Sequence, residues 1–325
     1  MARPFMRFFR AGLIAAAALP LAAAGGTAAD YPTKPVRFVV GFAPGGGSDT
    51  AARGLGNVLA AKWGQQVVVD NRPGASGTIA ADITVNAPPD GYTLLLGTIA
   101  LVVNPHLVAK MPFDTLRDLA PVTRIADQTN ILVVNPSVPA NSVKELIALA
   151  RSKPLNAGSS GIGGAGHLAI ALFNMQAGTS LAHVAYKGGG PAMVGLLGGD
   201  VQLIFATSAS SIAQIKAGKI KPLAVTTLKR SALVPDVPTL DESGLKGFEA
   251  NNWNGLFVTA KTPKALVTRL NRDVVAALSA PELKEQMFRQ GLDAAPESPE
   301  AFATYCKAEY AKWGKVVKAA GLKPQ

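Results

Sequence analysis

The sequence predicts an α/β protein of two lobes with a cleft between them. Short β-rich segments alternate with amphipathic helices over residues 36–97 and again over residues 131–225. Glycine-rich turns stand where strands end and helices begin. The 296 residues that follow a predicted N-terminal leader of 29 residues (325 − 29) are too many for one compact core.

The first alternating segment predicts a βαβαβ unit, half of a doubly wound sheet. Strands are expected at residues 36–40, 67–70 and 92–97, with a second helix at residues 78–86. The first helix is expected to be capped by Ser48 and Asp49. Its apolar face consists of residues at helical spacing, namely Ala52, Leu55, Leu59 and Trp63.

The second alternating segment predicts another α/β series. Its strands are expected at residues 131–135, 156–158, 181–185, 201–205 and 222–225. Its helices are expected at residues 142–153, 166–177, 191–197 and 211–217. Ser142 and Glu145 form a capping box at the first of these helices.

After residue 226 the pattern loosens to a strand at residues 255–259 and three helices, which are opened by prolines or Ser-Pro. We expect this tail to return to the first lobe. The predicted organisation is a signal peptide at residues 1–29, a first lobe of residues 30–126 and 227–325, and a second lobe of residues 127–226.

The N-terminal residues have the pattern of a secretory signal peptide. An uncharged apolar run at residues 11–24 follows Arg3, Arg7 and Arg10. This run is too short to span a bilayer, which takes ~20 helical residues. Small residues then lead to a cleavage site near Ala29, and no cysteine nearby offers a lipid anchor. We therefore expect an exported, periplasmic protein.

Composition narrows the range of partners. The predicted leader carries three arginines and no acidic residue, so its removal lowers the formal net charge from +11 to +8 (11 − 3), which still favours anionic partners electrostatically. The lysines of the chain are scattered along helices, and no basic run alternates with aromatic residues, so we expect no nucleic-acid surface. Cys306 is the single cysteine and is expected to be a buried apolar residue. Nothing in the sequence indicates self-association, and we expect a monomer.

Four glycine-rich or turn-forming segments lie between a strand and a helix, at residues 42–49, 71–77, 158–167 and 186–191. Any one of them can be a plain connecting turn. Together they favour a pocket lined by backbone, because a glycine turn before a helix N-terminus presents free N–H groups to an anion.

Other chemistries have less support. Gly161, Gly163 and Gly166 fit G-x-G-x-x-G, but residue 187, where a ribose-binding acid would stand, is a lysine. The chain has three histidines, no G-x-S-x-G motif and no metal-ligand spacing. We therefore expect no cofactor, no metal and no enzymatic activity.

Several polar side chains near these turns have two interpretations. His167 can donate to a bound carboxylate or bond to its own loop. Asp49 can cap its helix or bind a ligand hydroxyl or ammonium group. Thr98 and Thr207 follow strand ends and can offer hydroxyls to the cleft or stabilise their own turns.

The segments at residues 39–49, 71–77, 89–95, 161–167 and 186–191 together resemble the substrate-binding receptors of tripartite tricarboxylate transporters, the Bug proteins. The resemblance runs in order through the chain after the leader. It implies a type II periplasmic binding protein fold. It also implies a small organic carboxylate held between the lobes by backbone amides and ordered waters, and delivery to membrane transporter subunits.

The resemblance also implies a set of ligand-binding residues from both lobes. The first lobe would supply Phe42, Pro44, Gly45, Gly46, Ser48, Asp49 and Thr98. The second lobe would supply Ser160, Gly164, His167, Tyr186, Ala206 and Thr207. Backbone N–H groups of Gly45, Gly46 and Ser48 would bind a carboxylate. A ligand-sensing subunit of a signalling system and an exported enzyme are the alternative functions on the same fold.

Overall fold

The structure is a computed structural model that describes residues 1–2, 31–319 and 321–322. The predicted signal peptide and its cleavage site lie outside the described residues, apart from the first two. In chain order the strands are β1 (Val36–Val40), β2 (Val67–Asn71), β3 (Thr93–Thr98), β4 (Leu119–Gln128), β5 (Asn130–Val134), β6 (Asn156–Ser159), β7 (Ala182–Ala185), β8 (Leu203–Thr207), β9 (Lys221–Val225), β10 (Asn252–Thr259) and β11 (Asp293–Ala294).

Helices precede or follow nearly every strand. They are α1 (Gly47–Trp63), α2 (Thr78–Val85), α3 (Ala100–Leu107), α4 (Thr115–Asp118), α5 (Val143–Ser152), α6 (Ala165–Ala177), α7 (Gly189–Gly198), α8 (Ser208–Lys216), α9 (Lys264–Ser279), α10 (Pro281–Arg289) and α11 (Pro299–Ala319). Each helix in the described part of the chain is too short or too polar to span a bilayer.

The first sheet has the strand order β11-β4-β10-β3-β1-β2. Strand β1 pairs in parallel with both β2 and β3, so the predicted βαβαβ unit is confirmed. Strand β10 comes from the C-terminal part of the chain and pairs antiparallel with β3 and β4. We call this sheet with its helices the first lobe.

The second sheet has the order β7-β6-β8-β5-β9, and with its helices it forms the second lobe. Strand β6 is parallel to β7 and β8, whereas β5 is antiparallel to β8 and β9. The chain passes from the first sheet to the second at Thr129, between β4 and β5. The predicted domain boundaries at residues 126/127 and 226/227 stay a prediction.

Four elements were missing from the sequence-based prediction, namely α3, α4, β4 and β11. Strand β4 carries Pro121, Arg124 and Asp127, which interrupt an alternating apolar pattern. It forms because it pairs along its full length with β10, more than 100 residues later in the chain. The N-cap of α1 was also wrong: Gly46 occupies that position, and Ser48 and Asp49 lie in the first turn.

An aromatic cluster joins α11 to the first sheet. The ring of Phe302 lies 5.6 Å from that of Trp253 and 5.1 Å from that of Phe257. Gly255 on β10 leaves room for the Phe302 ring, which a Cβ at this position would overlap. Cys306 is buried beside this cluster as predicted, and burial raises the pKa of its thiol to about 12. The thiol is therefore protonated and unreactive at neutral pH.

We expect Phe302→Ala to lower the free energy of unfolding by about 3–5 kcal/mol, because it removes a fully buried aromatic ring and leaves a cavity. Urea unfolding followed by circular dichroism measures this change. Phe288→Ala is the matched control, since that ring is 41% exposed and its removal should cost far less. Equal losses in the two variants would show that α11 is not anchored through Phe302.

Candidate functional site

A cleft with a cavity volume of about 40 Å³ lies between the two lobes. Residues of both lobes line it. The predicted ligand-binding residues that line the cleft are Phe42, Gly46, Ser48, Thr98, Ser160, Gly164, Ala206 and Thr207. The predicted residues outside the lining are Pro44, Gly45, Asp49, His167 and Tyr186.

Four helices begin at this cleft. Their N-cap residues are Gly46 for α1, Gly164 for α6, Gly188 for α7 and Thr207 for α8, and none of these residues makes a side-chain cap hydrogen bond. The lining includes N-cap or first-turn residues of all four helices. The first N–H groups of a helix have no partner within the helix, and the helix dipole makes this end positive.

Glycine lets these helix N-termini approach each other closely. A Cβ added to Gly46 would lie 3.3 Å from the backbone nitrogen of Gly189, at the start of α7. A Cβ added to Gly47 would lie only 2.5 Å from Gln128 Oε1 and 3.0 Å from Thr207 Oγ1. Any side chain at residue 47 would therefore displace groups of the cleft itself.

The two lobes contact each other across the mouth of the cleft. The N–H of Ala43 donates to the carbonyl of Lys187 at 2.9 Å, which joins the β1–α1 loop to the β7–α7 loop. Ser76 approaches Gly161 closely, and its own φ of 51° lies in the left-handed region that non-glycine residues rarely adopt. Both contacts join a loop of the first lobe to a loop of the second.

A chain of buried side chains orients Ser48. Gln128 Nε2 donates to Asn254 Oδ1, and Asn254 Nδ2 donates to Ser48 Oγ at 3.2 Å. Because the Ser48 oxygen accepts this bond, its hydroxyl hydrogen is free to point elsewhere. Since Ser48 lines the cleft, its hydroxyl can donate there together with the first-turn amides of α1.

Asp49 stabilises the loop before α1. Its carboxylate accepts hydrogen bonds from the Gly45 N–H at 3.1 Å, from Arg53 Nε at 3.0 Å and from Asn71 Nδ2 at 3.1 Å. Burial alone would raise the pKa of Asp49, but the hydrogen bonds from Arg53, Gly45 and Asn71 outweigh it and hold this pKa below its ordinary value. The Gly45 N–H is thus already engaged within the loop.

His167 stabilises the loop before α6. Its Nδ1 accepts the Gly163 N–H at 3.1 Å, and its ring stacks on that of His183 at 4.1 Å. His183 Nε2 lies 2.6 Å from the hydroxyl of Ser159, a residue of the cleft lining. Burial lowers the pKa of His167, and burial with the neighbouring His167 lowers the pKa of His183 to about 4.

The remaining polar residues have local partners too. Thr98 Oγ1 accepts the Ala100 N–H at 3.3 Å, and Thr207 Oγ1 lies 3.0 Å from Ser210 Oγ. Both threonines nevertheless line the cleft. Tyr186 lies in a neighbouring groove with Ser76 and Gly161.

Sequence reasoning missed the amide side chains at the crossover between the lobes. Gln128 ends β4, Asn130 begins β5, and both line the cleft, as does Asn252 at the start of β10. A polar Gln-Thr-Asn triplet directly before a predicted buried strand was the available signal. None of the residues that line the cleft is charged. In the described part of the chain, no group of three or more His, Cys, Asp or Glu residues could hold a metal ion.

Comparisons with known proteins agree with this architecture. Residues 51–322 match the TctC family, described as "Tripartite tricarboxylate transporter family receptor". Protein BugT of Bordetella pertussis is 35% identical over 301 residues, which cover 90% of this chain and 91% of BugT. A UPF0065 protein from the tcbD-tcbE intergenic region of Pseudomonas sp. strain P51 is 37% identical over 290 residues, or 88% and 86% of the two chains.

Solved structures give the same result. The R. palustris protein Rpa4515, solved with adipate, is 38% identical with a TM-score of 0.88, over 91% of this chain and 100% of that one. The periplasmic binding protein BugD is 35% identical with a TM-score of 0.86 and the same coverage. MatC from Rhodopseudomonas palustris, solved with malate, is 29% identical with a TM-score of 0.82, over 88% and 100%.

This chain belongs to the family of tripartite tricarboxylate transporter receptors, the Bug proteins. Its fold is the two-lobed type II periplasmic binding protein fold that the resemblance implied. Like the other members of this family, it is a ligand-binding receptor and not an enzyme. The family and its structural neighbours imply a periplasmic location, whereas the signal peptide and its cleavage near Ala29 stay predictions.

We expect His183 to make the stability of the protein depend on pH. Its pKa is about 4 in the folded protein and ~6.5 when unfolded, so between these values the unfolded state binds more protons. The free energy of unfolding should therefore fall as pH falls through this window, and His183→Gln should fall less steeply.

Urea unfolding of both proteins at several pH values between 4 and 8 measures the difference, and the carboxylate contribution common to both cancels. At pH 8 the imidazole is neutral in both states and supplies the reference point. Parallel curves for the two proteins would contradict the burial of His183 against His167 and Ser159.

Proposed function

We propose that this protein captures a small organic carboxylate by closing its two lobes on it, and delivers it to the membrane subunits of a tripartite transporter. The observation that carries the proposal is the convergence of four uncapped helix N-termini on a cleft without charged side chains. This arrangement offers hydrogen-bond donors and positive helix ends, which together favour an anion.

Within this site, we assign the carboxylate to the N-terminus of α1. The backbone amides of Gly46 and Ser48 and the Ser48 hydroxyl are the proposed donors. The Gly45 amide is excluded from this role because it donates to Asp49. Asp49 accordingly acts by holding the loop in shape, and its negative charge is balanced by Arg53 at 2.9 Å.

The second lobe supplies the opposite wall. The first turn of α6, from Gly164 to Gly166, lines the cleft together with Ser160. His167 contributes indirectly, since it fixes the Gly163 amide. A ligand bound to both α1 and α6 would stabilise the closed lobes, because only closure brings both sets of donors to it.

Two relatives support carboxylates as the ligand class. Rpa4515 is solved with adipate and MatC with malate, and both structures cover most of this chain. The function described for the family supports delivery to a transporter. A closed receptor differs from an open one in the surface around the cleft, which gives transporter subunits something to recognise. We propose that the receptor acts as a monomer.

The test begins with a thermal-shift screen of carboxylates of four to six carbons, including adipate and malate, since a ligand of the native state raises the melting temperature. Titration calorimetry then measures the affinity of the strongest ligand for two variants. We expect Gly47→Ala to weaken binding by about tenfold or more, equivalent to ~1.4 kcal/mol, because its Cβ meets Gln128 and Thr207.

Gly54→Ala is the matched control, since Gly54 lies in the same helix and a Cβ added there would meet no atom within 4 Å. It should bind as the wild type does. The absence of any carboxylate that binds folded wild-type protein would contradict the proposed function. Unchanged affinity in Gly47→Ala would show that the ligand does not bind at the N-terminus of α1.

A further inference from the structure

Two buried amide oxygens at the cleft have no hydrogen-bond partner. They are Asn130 Oδ1 and Gln128 Oε1, and the two residues are 0% and 1% exposed. Both residues line the cleft at the crossover between the lobes. They are therefore acceptors within the binding site that the protein itself leaves unsatisfied.

The hydrogen bond that each amide nitrogen donates determines the orientation of that amide. Asn130 Nδ2 donates at 2.7 Å to the carbonyl of Ala250, which can only accept, so Oδ1 is the end left over. Gln128 Nε2 donates to Asn254 Oδ1, and its Oε1 lies toward Gly47 at the start of α1. Gln128 Oε1 therefore stands beside the proposed carboxylate site.

An unpaired buried acceptor is costly, whereas a hydrogen bond formed to it on binding is correspondingly favourable. A carboxylate cannot satisfy these oxygens, because it has no hydrogen to donate. Unless an ordered water supplies the hydrogen, the donor must come from the ligand itself. A site built to bond a ligand hydroxyl discriminates against the analogue that lacks it.

The donor should be neutral. None of the residues that line the cleft is acidic, and Asp49 is outside the lining and already paired with Arg53. A buried ammonium group would have no counter-ion there. It would also face the positive ends of four helices. A hydroxyl group has neither penalty.

We propose that the ligand is a hydroxy acid, whose carboxylate binds at the helix N-termini and whose hydroxyl donates to the amide oxygen of Gln128. This inference rests on the proposed function, and it narrows the ligand class to acids that carry a neutral donor.

The experiment compares matched ligands on the purified protein by titration calorimetry. Each set holds the carbon chain constant and changes one substituent: succinate, malate and aspartate, then glutarate, 2-hydroxyglutarate and glutamate, then butanoate and 3-hydroxybutanoate. We expect the hydroxy acid of at least one set to bind about tenfold more tightly than its unsubstituted analogue. The amino acid should bind more weakly than both.

A variant then locates the hydroxyl. Gln128→Met should reduce the preference for the hydroxy acid several-fold more than it reduces affinity for the unsubstituted acid. Gln176→Met makes the same chemical change on the exposed end of α6 and should leave the preference intact. Thermal unfolding confirms that each variant is folded, and the wild-type ligand sets test the proposal even if a variant is not.

The outcomes are distinguishable. If unsubstituted acids bind as tightly as their hydroxy analogues in every set, or if amino acids bind best, the hydroxy-acid inference is overturned while the carboxylate receptor stands. An equal loss for both ligands of a pair in Gln128→Met would place Gln128 at the carboxylate and likewise overturn it. If no acid in any set binds, the proposed function fails as well.

Discussion

The meeting of four helix N-termini at one cleft is the constraint on which the rest of this structure depends. Strands β1, β6 and β8 end at the cleft, and α1, α6 and α8 begin where those strands end, while α7 begins beside Gly46. Ligand sites in open α/β sheets lie at the carboxyl ends of strands for this reason. Glycines at the helix starts leave the amides accessible, and no lining side chain supplies a competing charge.

The side chains around the cleft act mainly by fixing the backbone conformation of the loops that precede the helices. Asp49 holds the loop before α1, and His167 holds the loop before α6. The amide chain from Gln128 through Asn254 orients Ser48 and links the crossover to the first lobe. A site made of backbone donors depends on such supports, because each amide direction is set by the loop that carries it.

The sequence was informative where the signal is local. The strand β1, the glycine turn after it and the amphipathic face of α1 follow from residues within one short segment, as does the capping box of Ser142 and Glu145 at α5. Strand β4 was missed because it is stabilised by pairing with β10, which is distant in the sequence. Gln128 and Asn130 were missed with it, since an amide beside an unrecognised strand has no recognisable role. The sequence left open whether Asp49 and His167 contact the ligand or stabilise their own loops. The answer depends on which groups the folded chain places next to them.

We propose that backbone amides at helix N-termini, and not charged side chains, bind the ligand. A crystal structure of the protein with its tightest-binding acid tests this directly. We expect carboxylate oxygens within about 2.7–3.2 Å of first-turn amides of α1 or α6, with both lobes in contact with the ligand. A carboxylate paired instead with a lysine or arginine, for example in the groove that contains Lys229 and Arg230, would contradict it.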